Sequence, residues 1–465
     1  MATTLESPSK WRAQLNPVLV ILAMVIVAVA LTHLVPAGKF AHHNKKVVAG
    51  TYRVVPKENG LAAIIAPTAP SEADAPARAA GIVALFTSIP AGMTKSASLL
   101  FMVMFVGGMF GVLKATNAID AAIDRLLHAT SGNVYVLTAG VMLMLACGST
   151  FLGLVSEYLA ILPLILTLGE RLKLPRIYAP AVVAVAGWVG YAASVTNPIV
   201  LAVAQPLAGV PIFSGITPRL LTFAAMFAVA LAYMFVFLRR VPKNDFVAEP
   251  ARLTGRQVCV LISLVVGGAA LVVGTGLWSW QTSEHAAAFI ALGVTLAIAG
   301  GLRPSAAADA FLDGMKGMLL PAVMIGLASS IAIILQSSQI LDSIVQGFGI
   351  MIEGHSKGMV AGLLLVSEMT FDVLLQSTSA KAAISLPILA PIAQLSGVGG
   401  QVSVTALTLG SGLTNLITPT NGVLLAILSL SGVSYGQWFR FIAPLFAILS
   451  LIGFGALLIM TMLGG

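Results

Sequence analysis

Two short polar motifs interrupt apolar runs that are each long enough to cross a lipid bilayer. They are residues 194–198 (SVTNP) and residues 414–422 (TNLITPTNG). Each contains a proline, which removes a backbone donor, so a helix that passes through must break and free some of its carbonyl groups. Inside a membrane such a break is tolerated only beside protein or water. The motifs therefore predict two broken transmembrane helices.

The composition places the whole chain in the membrane. Of its 465 residues, 58% are hydrophobic and 9% are charged, against about 25% charged in soluble domains. Apolar runs of about 20 residues, the length of a spanning helix, recur throughout. The fold class expected is an all-α polytopic membrane protein. The first run, residues 17–35, exceeds the usual core of a signal peptide, so we expect an uncleaved anchor.

The basic residues cluster in loops and are not interleaved with aromatic residues along a groove. The net charge of +8 therefore gives no reason to expect nucleic acid as a partner, and membrane lipid is the expected surroundings. By the excess of positive charge, the central loop is cytoplasmic. Its basic residues are Arg239, Arg240, Lys243, Arg252 and Arg256.

An internal repeat relates the two halves of the chain. The matching landmarks are Asp120 and Asp342 (342 − 120 = 222), Pro163 and Pro387 (387 − 163 = 224), Asn197 and Asn415 (415 − 197 = 218), and Gly209 and Gly432 (432 − 209 = 223). The change from 218 to 223 predicts about five extra residues after the second Thr-Asn pair. Duplicated halves with broken helices are typical of secondary transporters, and an odd number of spans per half would make the repeats inverted.

Four regions follow from this pattern. An anchor span and polar loop (1–80) and a basic central loop with two spans (239–312) are expected to form a scaffold. The first repeat is residues 81–238, with a re-entrant helical hairpin near 150–170 that follows a separate span, and a broken helix at 194–198. The second repeat is residues 313–465, with a hairpin near 376–397 and a broken helix at 414–422.

The two motifs supply the main candidates for a binding site. Their hydroxyl groups, amides and freed carbonyls suit a hard cation, with sodium possible at Asn197 and Asn415, while helix N-termini suit a carboxylate. The alternative is that these are polar helix breaks satisfied by their neighbours. The candidate substrate- or cation-binding residues are Ser194, Thr196, Asn197, Pro198, Thr414, Asn415, Thr418, Pro419, Thr420 and Asn421.

Ionisable residues inside apolar segments supply further candidates, because a charge there is costly and commonly functional. Glu157 either acts in the first hairpin or is held at a helix end. Glu368 and Asp372, four residues apart on one helix face, either bind a cation or relay a proton, or lie at the membrane edge. Lys381 either attracts a carboxylate substrate or extends to the interface. The neighbouring polar candidates are Ser149, Thr150, Ser156, Ser377, Thr378 and Ser379.

No enzyme is expected. The sequence contains neither a Walker-type phosphate loop nor an H-E-x-x-H zinc motif. Residues 432–436 (GVSYG) fit G-x-S-x-G, but they join two spans and not a strand and a helix. No cofactor or certain metal site is expected, and the coupling ion is either Na⁺ or H⁺.

Several motifs resemble the YfcC-like branch of the DcuC family of anaerobic C4-dicarboxylate carriers. They are residues 34–38 (LVPAG), 50–52 (GTY), 196–198 (TNP), 209–215 and especially 413–420 (LTNLITPT). The resemblance extends from about residue 17 to the C-terminus. It implies the fold of the ion transporter superfamily: a homodimer in which a scaffold holds a mobile transport domain with two re-entrant hairpins. It also implies an elevator mechanism in a bacterial cytoplasmic membrane.

The chain departs from the family pattern at both hairpins. Glu157 matches the second carboxylate of a Glu-Glu pair whose first member is Ser156 here. The usual Pro-Ser-Gly-Ser-Gly tip is replaced by residues 376–380 (QSTSA), followed by Lys381. Relatives in this branch differ in substrate. We expect a small carboxylate-bearing metabolite, with arginine/ornithine exchange as the alternative. A passive channel or an intramembrane enzyme is less consistent with the pattern.

Overall fold

The computed structural model describes residues 17–43, 46–48, 50–58, 77–119, 121–122, 125, 130, 132–241, 253–278 and 280–464. Parts of the predicted anchor region (1–16 and 59–76), most of the basic central loop (242–252) and the landmark Asp120 lie outside the described residues.

Helices make up most of the described chain. In the first half they are α1 (Pro17–Leu34), α2 (Ile82–Lys95), α3 (Ala97–Ala115), α4 (Val134–Leu152), α5 (Leu162–Arg171), α6 (Tyr178–Ala193), α7 (Pro198–Leu207) and α8 (Ile216–Arg239), with a 3-10 helix at Ser156–Ala160. Two connecting helices follow, α9 (Gly255–Trp278) and α10 (Thr282–Gly300). In the second half they are α11 (Pro304–Gly317), α12 (Leu319–Ser337), α13 (Leu341–Ile352), α14 (Lys357–Leu374), α15 (Thr378–Leu395), α16 (Gly400–Ile417), α17 (Gly422–Ser431) and α18 (Tyr435–Met462).

The described part of the loop after α1 contains six two-residue strands. They are β1 (Gly38–Lys39), β2 (His42–His43), β3 (Lys46–Val47), β4 (Arg53–Val54), β5 (Lys57–Glu58) and β6 (Ala77–Arg78). β1 pairs with β4 and β2 with β3, both antiparallel, while β5 and β6 are parallel. Lys57 donates hydrogen bonds to the carbonyl oxygens of Thr32 and Val35. The loop is thus attached to the C-terminal end of α1, where a cation is favoured.

Within the described residues, eight helical segments are long and apolar enough to cross a membrane, which confirms an all-α polytopic membrane protein. They are α3, α4, α6 with α7, α8, α10, α12, α16 with α17, and α18. The α6–α7 segment is the most enclosed by protein, followed by the α16–α17 segment. The broken helices are therefore the central elements of the molecule.

The repeat extends through the order and packing of the helices. α2, α3, α4, α6, α7 and α8 correspond to α11, α12, α14, α16, α17 and α18, at offsets of 219 to 224 residues between their first residues (435 − 216 = 219 for α8; 422 − 198 = 224 for α7). Equivalent packing occurs twice: α3 packs on α11 and α2 on α12, while α4 packs on α6 and α14 on α16.

Glycines make the first pair of crossings close. A Cβ atom at Gly111 on α3 would lie 2.1 Å from the carbonyl oxygen of Ala310 on α11. At the equivalent crossing, a Cβ atom at Gly92 on α2 would lie 2.5 Å from the carbonyl oxygen of Gly326 on α12. Because the missing side chains let backbones meet, α2, α3, α11 and α12 form one closely packed group.

The predicted hairpin positions are wrong in detail. α4 is one continuous helix that forms the first arm of the hairpin, so the hairpin begins at Val134 and not near residue 150, and residues 153–155 form its tip. Residues 376–397 do not contain a hairpin, because α15 runs unbroken past Pro387 and Pro391. The second hairpin consists of α14 and α15, with its tip at residues 375–377. Packing against neighbouring helices allows prolines within such a helix, so a proline alone does not mark a turn.

Candidate functional site

The first broken helix is interrupted at residues 194–197. Ser194 ends α6 in the left-handed conformation (φ 41°, ψ 56°), and Asn197 precedes α7, where Pro198 occupies the first turn. The Asn197 side chain accepts a hydrogen bond from the Ile199 amide (3.1 Å) and donates one to Ser194 Oγ (3.2 Å). Asn197 is therefore an N-cap, the role in which asparagine is among the most favoured residues.

The tip of the first hairpin holds this break in place. Thr150 Oγ1 accepts a hydrogen bond from the Val195 amide (3.1 Å), and the Thr150 carbonyl oxygen accepts one from the Thr196 amide (3.2 Å). Thr196 Oγ1 donates to the Phe151 carbonyl oxygen (3.3 Å). Ser149, one residue earlier, is fully buried and donates to the Gly187 carbonyl oxygen on α6 (2.7 Å). These contacts satisfy much of the exposed backbone of the break.

A buried arginine closes the other side of the first break. Arg219 on α8 is fully buried; its guanidinium lies 3.5 Å from the Ser194 carbonyl oxygen and donates to Gln401 Oε1 (3.1 Å). No carboxylate within the described residues forms an ion pair with it. Its positive charge instead lies at the C-terminal end of α6, where the helix dipole favours a cation.

The second break lies at residues 418–421, and its N-cap is Asn421. The Asn421 side-chain oxygen accepts hydrogen bonds from the amides of Val423 (2.9 Å) and Leu424 (3.1 Å). Its amide nitrogen donates to Asn415 Oδ1 (2.7 Å), and Thr418 and Thr420 join their hydroxyl groups across Pro419 (2.8 Å). Most of the hydrogen bonds described for the second break are therefore formed within the break and with the adjoining helix ends.

The predicted match between Asn197 and Asn415 is wrong. α16 continues through Thr414 and Asn415 to Ile417, so that pair lies inside a helix and not in the break. The capping geometry identifies Asn421 as the equivalent of Asn197 (421 − 197 = 224), with Ser194 and Thr196 matching Thr418 and Thr420. The offset therefore stays near 224, and there is no five-residue insertion. The sequence alignment matched the two Thr-Asn pairs because they are identical, but the two pairs lie at different positions relative to the helix ends.

Gln376, at the tip of the second hairpin, joins this hairpin to the second break. Its Nε2 donates both to Thr420 Oγ1 (3.0 Å) and to the backbone oxygen of Asp372. Thr414 Oγ1 also donates to the Met369 carbonyl oxygen on α14 (3.3 Å). The other predicted tip residues begin α15: Ser377 caps it, Thr378 is buried in its first turn, and Ser379 donates to the Ile199 carbonyl oxygen on α7 (3.3 Å).

A cavity of about 370 Å³ lies where the second hairpin and second break meet α2, α3 and α12. That volume suits a small metabolite. Of the lining residues that the structure describes, Lys95 alone carries a charge. The polar residues around the cavity are Ser96, Ser329, Gln336, Gln376, Ser377, Asn415, Thr420 and Asn421. Lys95 Nζ donates to Gln336 Oε1 (2.9 Å).

The predicted ionisable residues of the second repeat form one buried cluster. Lys381 Nζ lies 3.0 Å from Asp372 Oδ1, 3.0 Å from the Glu368 backbone oxygen and 3.5 Å from Glu368 Oε2. The three side chains are at most 1% exposed. The full burial of Lys381 does not agree with a side chain that extends to the interface. We call Glu368, Asp372 and Lys381 the charge cluster.

Glu157 lies apart from that cluster. Its Oε2 accepts hydrogen bonds from the Val155 amide (3.1 Å) and from Ser156 Oγ (3.4 Å), and its Oε1 is 3.8 Å from His285 Nδ1 on α10. The Glu157 side chain is 19% exposed. It therefore both shapes the tip of the first hairpin and connects that hairpin to one of the two connecting helices.

Three residues of this region escaped the sequence analysis. Lys95 looked like a loop lysine between two apolar stretches, Gln376 was one polar residue among several, and Arg219 lies near the start of an otherwise ordinary span. A signal was present for Arg219, because an arginine within an apolar run is costly. Nothing local distinguishes Lys95 or Gln376, since their partners lie far away along the chain.

Comparisons with known proteins give a consistent group of relatives. A family model described as DcuC, C4-dicarboxylate anaerobic carrier, matches residues 16–462. YfcC of Escherichia coli K12, a proposed basic amino acid antiporter, is 27% identical over 378 residues, which are 76% of this chain and 75% of YfcC. An uncharacterized protein of Haemophilus influenzae Rd is 23% identical over 393 residues, 80% of this chain and 77% of that protein.

Two solved structures also match over most of their length. The YdaH transporter of Alcanivorax borkumensis aligns with a TM-score of 0.46 and 17% identity, over 95% of this chain and 97% of YdaH. MtrF of Neisseria gonorrhoeae, from a class of antimetabolite efflux pumps, aligns with a TM-score of 0.45 and 14% identity, over 95% of this chain and 94% of MtrF.

Proposed function

Because the chain belongs to the DcuC family of C4-dicarboxylate anaerobic carriers, we propose that it moves a small carboxylate-bearing metabolite across the membrane by secondary active transport. The chain is a membrane transporter and not an enzyme, as its family is one of carriers and its relative YfcC is a proposed antiporter. The substrate, the movement and the driving gradient are the parts that we propose.

The observation that carries the substrate class is the charge of the cavity beside the second break. Lys95 is its one charged lining residue among those described, and hydroxyl and amide groups surround it. The N-terminus of α17, which begins at Gly422, also borders the cavity and favours negative charge. A lysine and a helix N-terminus without a facing carboxylate favour an anion over a cation.

The walls of the cavity support an elevator-type movement. One wall comes from the second hairpin and the second broken helix, and the other comes from α2, α3 and α12. We propose that the hairpins and broken helices form the transport domain. The scaffold then consists of α1, α9 and α10, as expected from the sequence, together with α2, α3, α11 and α12, which pack on one another and on α1 and α10. A substrate held between the two groups would travel with the transport domain.

The count of crossings supports inverted repeats. If the hairpin of α4 and α5 is re-entrant and the shorter apolar helix α9 also spans, the described residues cross the membrane five times between the start of α3 and the start of its counterpart α12: in α3, the α6–α7 segment, α8, α9 and α10. An odd number reverses the second copy. We propose in addition a homodimer in a bacterial cytoplasmic membrane, the assembly and location that the family resemblance implies. The gradient in this proposal is of Na⁺ or H⁺.

The second candidate function is exchange of a basic amino acid. It is favoured by one observation, the 27% identity to YfcC, a proposed basic amino acid antiporter. A cationic substrate requires carboxylates at the site, whereas the charge cluster keeps its two carboxylates on Lys381 and away from the cavity lining. We therefore place an organic acid first and arginine/ornithine exchange second.

The decisive experiment is uptake of labelled succinate, fumarate, acetate, arginine and ornithine into proteoliposomes with an imposed Na⁺ gradient, an H⁺ gradient or none. We expect gradient-driven uptake of an acid. Lys95→Gln should raise its KM by about 10- to 100-fold, because a hydrogen bond to a charged group is worth about 1.5–3 kcal/mol. Asn421→Ala should abolish most uptake by removing the cap of α17.

Lys316→Gln is the matched control, since Lys316 is an exposed lysine paired with Asp313 outside the cavity. It should leave uptake unchanged. Uptake of arginine or ornithine without any acid would reverse the order of the two candidates. Acid uptake that is indifferent to Lys95→Gln would place the substrate in a different cavity.

A further inference from the structure

The ammonium group of Lys381 is surrounded by protein oxygen atoms, as a bound metal cation would be. Its ammonium group has three N–H donors. The structure provides three oxygen acceptors around it: the backbone oxygen of Glu368, Oδ1 of Asp372 and Oε2 of Glu368, at 3.0, 3.0 and 3.5 Å. The side chain is fully buried. Lys381 thus serves as a built-in cation between the two arms of the second hairpin.

One negative charge in the cluster remains unbalanced. Two carboxylates face a single ammonium group, and all three groups are shielded from solvent. The part of the chain that the structure describes brings no second lysine, arginine or histidine into an ion pair with either carboxylate. An uncompensated charge in such a place is strongly unfavourable. The cluster therefore requires one further positive charge.

The unsatisfied atoms indicate where that charge binds. Glu368 Oε1 accepts a hydrogen bond from Ser385 (2.8 Å), and Glu368 Oε2 lies against Lys381. Asp372 Oδ2 is buried without a hydrogen-bond partner. Glu368 Oε2 has no hydrogen bond either, but it lies 3.5 Å from the Lys381 ammonium group. Ser411 Oγ, on the neighbouring α16, is buried and unpartnered as well. Ser411 lies beside Asp372. A carboxyl O–H at Oδ2 could donate to the serine hydroxyl, which accepts as readily as it donates.

We propose that Asp372 binds one exchangeable proton and that this proton is the coupling ion of the transporter. In the loaded state Asp372 is a neutral carboxyl group, while Glu368 and Lys381 remain an ion pair, so the cluster is neutral. Release of the proton to the other side of the membrane returns Asp372 to the carboxylate, and the cluster then carries one negative charge. The proposal rests on the transport function proposed above.

A proton fits this place better than a sodium ion. Hard metal cations need several oxygen ligands around one point, and the ammonium group of Lys381 already fills the space between the carboxylates. A proton needs one acceptor atom, which Asp372 Oδ2 supplies. The other titratable groups that face Asp372 are Glu368 on α14, Lys381 on α15 and the phenol of Tyr191 on α6. Of these, Lys381 is the counter-charge in both states.

Gln376 connects the proton site to the substrate cavity. It lines the cavity, and its Nε2 donates both to the Asp372 backbone oxygen and to Thr420 Oγ1 in the second break. Residues 373–375, which follow Asp372 directly, also line the cavity. A change of charge at Asp372 therefore acts beside the cavity, at the tip of the hairpin that lines it.

The test compares the net charge of the cluster in wild type and in four variants. In wild type, this charge alternates between −1 without the proton and 0 with it. Glu368→Gln alternates between 0 and +1, and Lys381→Met removes the counter-charge, so each single change should impair uptake driven by an H⁺ gradient. The double variant Glu368→Gln/Lys381→Met again alternates between −1 and 0 and should recover it. Asp372→Asn binds no exchangeable proton and should lose it. We expect losses of about 5- to 150-fold, the usual range for coupling between two sites.

Recovery in the double variant is also expected of a merely structural ion pair, because the second change removes the charge that the first leaves unpaired. Asp372→Asn distinguishes the two: a proton site predicts loss of uptake driven by the H⁺ gradient with counterflow retained, whereas a structural role predicts that both readouts fall together. Uptake driven by the H⁺ gradient in Asp372→Asn at the wild-type rate would overturn the proposal. So would uptake that follows only a Na⁺ gradient in wild type. Counterflow without any gradient measures substrate exchange separately, so these results leave the transport function standing.

A second measurement is independent of the substrate. Infrared difference spectra of the purified protein between low and high pH should contain a carboxyl C=O band that is lost in Asp372→Asn and retained in the surface variant Asp313→Asn. The same band in Asp372→Asn would overturn the proposal. Its presence in wild type without transport of any tested compound would support the proton site and contradict the substrate class proposed above.

Discussion

The two hairpins occupy equivalent places in the repeats, yet they carry opposite charges at equivalent positions. Glu157 and Lys381 are separated by 224 residues (381 − 157 = 224), the offset that also relates Pro163 to Pro387. Glu157 is 19% exposed and lies 3.8 Å from His285 on α10. Lys381 is fully buried between its own arms. One hairpin presents its charge to another helix, whereas the other encloses it.

The acids of the charge cluster have no counterparts in the first hairpin. At an offset of 223, Asp372 and Glu368 correspond to Ser149 and Leu145 (372 − 223 = 149; 368 − 223 = 145). Ser149 donates to a backbone oxygen of α6, and Leu145 belongs to the apolar core. The two hairpins thus have similar shapes but differ at three corresponding positions, and these three residues make the second hairpin an ionic site.

The largest effect is expected from removing the enclosed charge. Lys381→Met leaves two buried carboxylates without a partner and should lower the free energy of unfolding by about 3–5 kcal/mol. The free energy of unfolding can be measured by SDS titration of the protein in mixed micelles. Glu368→Gln/Lys381→Met should cost clearly less, because it removes the pair together. If the single variant is as stable as wild type, the cluster is not the enclosed ion site on which the comparison of the hairpins depends.

A smaller effect is expected at the tip of the first hairpin. Gly153 has φ 79°, and a Cβ atom there would lie 2.4 Å from Asn197 Oδ1. Gly153→Ala should cost about 1–3 kcal/mol through backbone strain and displacement of the cap. Leu375, at the matching place in the second hairpin, has an extended backbone (φ −132°), so that position does not require glycine.

Gly140→Ala is the control for that measurement, since a Cβ atom at Gly140 on α4 meets no atom within 4 Å. It should change stability by at most about 1 kcal/mol. Equal thermal stability of the Gly153 and Gly140 variants would mean that the two tips do not differ in the way described.

The smallest effect is expected from the charge that the first hairpin presents outward. Glu157→Gln should lower stability by no more than about 1 kcal/mol, because the carboxylate is partly exposed and 3.8 Å from its partner. The glutamine oxygen can still accept the Val155 amide. The same SDS titration applies. A loss as large as that of Lys381→Met would erase the contrast between the hairpins and give the first one a buried ionic site of its own.

Much of the architecture was predictable from the sequence. Long apolar runs determine spanning helices because the hydrocarbon region accepts backbone only with its hydrogen bonds made internally. Polar motifs within those runs correctly placed both breaks in the segments now assigned to α6–α7 and α16–α17. The repeat was visible because a few identical residues recur at a nearly constant offset.

The tertiary structure decided what those elements do. Asn421, and not Asn415, caps the second half-helix, because the end of α16 depends on which backbone groups find partners in the fold. Lys381 meets Glu368 and Asp372 only after the chain turns at residues 375–377. Lys95 contacts Gln336 at the cavity, although the two residues are 241 positions apart in the sequence. Sequence fixes local apolarity and helix-breaking chemistry; contacts between distant segments, and the burial of charge that they cause, exist only in the folded chain.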